Sequence, residues 1–122
     1  QWPFDVLKQG ERITGVVGRA VSAPSKYGKR VGVEVLAQSP PVGDLKMPAV
    51  ATYYTRSSGA GILNIGTSGW VCAIENKCPG GPTVSITTRR QVAAVTGAIF
   101  EGITRGPLGK WRPATIDIAP QP

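Results

Sequence analysis

Two cysteines, seven carboxylates and fourteen basic side chains make up the reactive groups of this chain, which contains no histidine. Without histidine there is no Ser-His-Asp or Cys-His machinery, no imidazole metal ligand, and no side chain whose unperturbed pKa lies near neutrality. Cys72 and Cys78 stand six positions apart around Ala73-Ile74-Glu75-Asn76-Lys77, and Pro79-Gly80-Gly81-Pro82 follows at once. That spacing and its turn residues read as a disulfide stapling a hairpin. A zinc site needs about four ligands, and two cysteines do not supply them, so no metal and no cofactor is expected. Closing so short a ring is worth about 2–2.5 kcal/mol in the chain-entropy account.

The carboxylates Asp5, Glu11, Glu34, Asp44, Glu75, Glu101 and Asp117 are sparse, with no D-x-D or E-x-x-E pairing. Glycoside hydrolysis would need two of them across a cleft. No S-x-x-K, G-x-S-x-G or P-loop is present. The chain is therefore read as a non-enzyme. A helix start at Thr88-Arg89-Arg90-Gln91 offers a different chemistry. Thr88 is read there as N-cap of a capping box, with Gln91 reaching back. Two guanidiniums in the first turn would oppose the dipole, and with the exposed N–H groups they would seat a phosphate or carboxylate. Thr88, Arg89 and Arg90 are the candidate anion site.

The aromatic residues divide by position. Trp2 and Phe4 flank Pro3 near one end of the sequence and are candidates for docking in a groove. Tyr53 and Tyr54 are adjacent on an expected strand, one ring to each face. They are the candidate stacking residues of a basic, β-rich nucleic-acid binder.

The elements that must position these groups are mostly short strands. Gly (16) and Pro (11) fall between apolar runs without forming a repeat, as turns do. Glu11–Ser22 and Lys29–Gln38 read as a long antiparallel hairpin, the second alternating with Val31, Val33, Val35 and Ala37 on one face against Arg30, Gly32 and Glu34. Ala49–Arg56, Ile62–Ile65, Trp70–Glu75, Pro82–Thr87 and Trp111–Ile118 follow as strands. One amphipathic helix over residues ~89–105 carries Val92, Val95, Ile99 and Ile103 at spacings of three and four, stopped by Gly106-Pro107. The expected fold is α+β: about seven short, mainly antiparallel strands in a sandwich or partly open barrel, with one late helix. Residues 1–10 form an extended lead-in, 11–118 a single compact domain, and 119–122 a tail.

Net charge is +7, favouring acidic partners, although the basic residues are scattered and cluster only in pairs. A cysteine pair in a chain that begins with Gln1 fits a processed protein outside the cytoplasm, secreted, periplasmic or envelope-exposed. No apolar run is long enough to span a membrane. The function expected is a non-enzymatic binding or assembly module of a cell-surface, secretion or virion-like assembly, with a protein partner or self-association and possible contact with an acidic surface or anionic polymer. The alternatives are a basic β-barrel that binds nucleic acid and a small secreted toxin or hydrolase working through carboxylates and arginine.

Overall fold

Strand β2 (Val50–Arg56) is the longest of the sheet, and the other strands are arranged along it. The computed structural model describes residues 1–17, 33–41, 46–76, 84–115 and 117–118. β1 (Glu34–Gln38) pairs antiparallel with β2, Glu34 opposite Tyr53 and Gln38 opposite Val50, with an irregularity between Val35 and Ala37. β3 (Gly61–Asn64) returns along the other edge, Tyr54 opposite Ile62, closing a hairpin across Ser57–Ala60. β4 (Asp117–Ile118) runs parallel to the end of β2, with Thr55 opposite Asp117. Since Thr55 also faces Gly61 of β3, β4 must occupy the β1 edge, beyond the point where β1 stops.

Three helices complete the described chain: α1 (Gly69–Glu75), α2 (Ile86–Thr104) and the single-turn α3 (Leu108–Trp111); a 3₁₀ turn spans Phe4–Val6. α2 buries Thr88, Gln91, Val92, Val95 and Gly102, a stripe at spacings of three, four and seven. α1 buries Trp70 and Ala73, three apart, and ends where Asn76 turns left-handed at φ 60°. Gly69 opens α1 because a Cβ there would lie 1.9 Å from the carbonyl oxygen of Val16. The interior falls into two clusters. One gathers Val16, Trp70, Ala73, Val92 and Val95 between α1, α2 and the N-terminal chain; the other gathers Leu36, Ala51, Tyr53 and Leu108 on the sheet. Phe4 packs against both.

The expected sandwich or partly open barrel of about seven strands is overturned. The described residues hold three antiparallel strands in one open sheet, the two-residue β4, and helices. Glu11–Val17 forms no ladder. The carbonyls of Arg12, Thr14 and Val16 instead accept from Gln91 Nε2 (3.3 Å), Thr88 Oγ1 (2.8 Å) and Thr67 Oγ1 (2.8 Å). Side chains have taken the place of a partner strand. The expected partner, Lys29–Gln38, is β1 from Glu34 onward, and its residues 29–32 lie outside the described chain. Trp70–Glu75 is helix α1, because Trp70 and Ala73 supply a helical contact that its period-two reading hid. Ile86 and Thr87 belong to α2, and Trp111 ends α3.

The late helix also begins earlier than expected. It spans Ile86–Thr104, not 89–105, and its N-cap is Ser85, whose Oγ accepts from the Thr88 N–H at 3.1 Å. Thr88 is thereby inside the first turn, buried and bonded to the N-terminal chain.

Candidate functional site

Four stretches of chain meet in the cluster built around the Glu34 carboxylate. β1 buries it, leaving 5% of the residue exposed. Arg112, just after α3, meets it in a fork, Nη2 to Oε1 at 2.7 Å and Nη1 to Oε2 at 2.9 Å. Thr115 N–H donates to Oε2 at 3.1 Å, and the Gln1 side-chain amide donates to Oε1. The guanidinium lies over the rings of Tyr53 (4.9 Å) and Trp2 (5.5 Å), a cation–π arrangement on two sides. Tyr53 closes the cluster by donating its hydroxyl to the Arg112 carbonyl at 2.7 Å. Trp2 in turn meets Tyr53 and Trp111 edge to face, with centroids 5.9 and 5.7 Å apart. Gly102 admits these rings, since a Cβ there would come within 2.8 Å of Trp111 and 3.0 Å of Trp2.

These contacts hold the Glu34 carboxyl down at about 2, first through the Arg112 hydrogen bonds and then through those of Thr115 and Gln1, against burial, which works the other way. The same pairing raises Arg112 above its ordinary value, and burial raises Tyr53. A carboxylate with four donors and so low a pKa neither gives nor takes a proton near neutrality. The cluster is a clasp joining the N-terminal segment, β1, β2 and the chain after α3.

The residues singled out from the sequence are dispersed around this clasp. Trp2 and Phe4 are half-buried against the core of their own domain, Trp2 within the clasp and Phe4 edge to face with Trp70 at 6.2 Å. Tyr53 is fully buried, with no ring face open to a base, whereas Tyr54 is half-buried on the other side of β2. Thr88, Arg89 and Arg90 do not form the expected first-turn seat. With Ser85 as N-cap, the Arg89 N–H already bonds the Ser85 carbonyl at 3.0 Å. Arg90 is exposed, and Arg89 keeps a buried Nε without a hydrogen-bond partner. Cys72 sits on α1, not on a hairpin strand, with Sγ 3.8 Å from the Ser68 carbonyl oxygen; Cys78 lies outside the described residues.

Sequence reasoning did not single out Glu34, Arg112 or Gln1 as site residues. Glu34 stood on the polar face of an alternating strand, and the parity is the reverse: Glu34 and Leu36 are buried and Val35 is 46% exposed. The partner that permits this burial is 78 residues away, a distance over which no local pattern carries a signal.

Two further features lie at the surface. An open groove of about 860 Å³ runs between the Lys8–Val17 chain, the sheet at Leu36 and Ala51, and Trp70 of α1. On the helices, Val71, Ile74, Ile86, Phe100 and Ile103 are exposed, Phe100 by 64%. Among the described residues no three His, Cys, Asp or Glu side chains gather as metal ligands, and no helix is long and apolar enough to cross a membrane. No protein-family model matches the chain, and no curated protein or solved structure matches it either.

Proposed function

We propose that this domain is a non-enzymatic binding or assembly module working outside the cytoplasm, as a subunit or accessory part of a cell-surface, secretion or virion-like assembly. The observation that carries the reading is the exposure of large apolar side chains on the helices, led by Phe100 and Ile103 near the C-terminal end of α2. Apolar side chains left in water on an ordered helix favour association. The buried ion pair of the clasp supports the same reading, because Glu34 and Arg112 are consumed by each other and by the fold. The extracytoplasmic part rests on the cysteine pair.

Sedimentation velocity over a range of concentrations tests the association. Wild-type protein is expected to self-associate or to bind a partner from its own source, and Phe100→Ser with Ile103→Ser to abolish this while leaving thermal stability unchanged. A wild-type domain that stays monomeric and joins no complex would overturn the reading.

A further inference from the structure

We infer that the groove between the two halves of the core is a binding site for a single-chain carboxylate, a fatty acid in its anionic form. Its walls come from both core clusters, Val16 and Trp70 on one side, Leu36 and Ala51 on the other. Phe4, also in the lining, is a residue the two clusters share. An alkyl chain laid there extends both apolar surfaces at once. A volume of about 860 Å³ lies within the range of pockets that hold small ligands, roughly 300–1,000 Å³.

The mouth selects the head group. Its charged lining residues are Lys8, Glu11 and Arg12, all exposed. The Glu11 carboxylate is already engaged, accepting the Lys8 backbone N–H at 2.6 Å. Two cations and one anion leave a single positive charge among the described lining residues, which a monoanion neutralises. Gln91 Nε2 donates to the Arg12 carbonyl at 3.3 Å, which anchors the backbone that carries this side chain. That anchoring lowers the cost of ordering it around a bound carboxylate.

The site is separate from the exposed helical face, and its test is separate too. Isothermal titration calorimetry on the whole 122-residue chain, with octanoate, decanoate and dodecanoate below their micellar concentrations, should give one saturable site. Affinity should rise with each added methylene, by at most about fourfold, the figure for a fully buried one. Decanoate should bind more tightly than decyltrimethylammonium and more tightly than decyl phosphate. Lys8→Glu with Arg12→Glu, both exposed positions, should weaken decanoate roughly fivefold or more and spare decyltrimethylammonium. Ala37→Trp, which places an indole in the groove, should block all three carboxylates; if that variant misfolds, the mouth variant decides alone. The proposal is overturned by the absence of saturable decanoate binding, by tighter binding of the cationic or phosphate amphiphile, or by affinity that the mouth variant leaves unchanged.

Discussion

Replacing Glu34 by Gln removes the charge and keeps the shape, and it should be among the most damaging conservative changes in this protein. Arg112 is left with 17% of its side chain exposed and no countercharge within the clasp. The size of the loss follows from titration. Glu34 falls from an ordinary 4.5 to about 2 in the folded protein. A difference of about 2.5 pKa units corresponds to about 3 kcal/mol of folding free energy, since each unit is worth about 1.36 kcal/mol. That agrees with the cost of about 3–5 kcal/mol for breaking a buried pair from one side. The pKa is depressed on folding, so this stability is present in full above pH 4.5 and lost as pH falls toward 2. About 2 kcal/mol of it should be gone by pH 3. Urea unfolding followed by tryptophan fluorescence at pH 7 and pH 3 measures both quantities. Wild type should exceed Glu34→Gln by about 3 kcal/mol at pH 7 and by only about 1 kcal/mol at pH 3. A gap below 1 kcal/mol at pH 7, or one that does not shrink with acid, would refute the reasoning.

Three further outcomes follow from the same packing. Trp2→Ala should cost about 2–3 kcal/mol in chemical denaturation, because it strips a ring from Tyr53, Trp111 and Arg112 together; unchanged stability would place the N-terminal segment off the core. Gly97→Ala should stabilise by about 0.5–1 kcal/mol, since the new Cβ meets nothing within 4 Å, whereas Gly69→Ala should destabilise by about 1–3 kcal/mol against the Val16 carbonyl; thermal melts that rank them the other way would contradict this. Intact mass after alkylation, with and without prior reduction, should show a Cys72–Cys78 bond, and reduction should lower unfolding free energy by about 2–2.5 kcal/mol; two thiols alkylated without reductant would end that proposal.

What could be read from the sequence was whatever a single element states about itself. β2 was legible because Tyr53 and Tyr54 alternate inside a run of β-formers, and the pair does split between the two faces. The core of α2 was legible because Val92, Val95 and Ile99 repeat at helical spacing, although Ile103, read on the same stripe, is 50% exposed. Its start was not, because Thr88-x-x-Gln91 imitates a capping box while Ser85 three residues earlier does the capping. α1 was hidden by its brevity, since seven residues fit either period. The N-terminal chain was hidden by its mode of bonding. Its carbonyls are met by Thr67, Thr88 and Gln91, which no strand pattern foretells. The clasp was out of reach for the same reason at longer range: burying Glu34 makes sense only beside Arg112.

The proposed function requires the exposed apolar side chains of the helices to meet another protein. A photo-crosslinking amino acid at position 100, in the cells that make the protein, tests it most directly, with the same group at Ser58 in the exposed β2–β3 turn as control. A discrete adduct is expected at position 100, lost with Ile103→Ser, and none at position 58. Equal labelling at the two positions, or none at either, would contradict it.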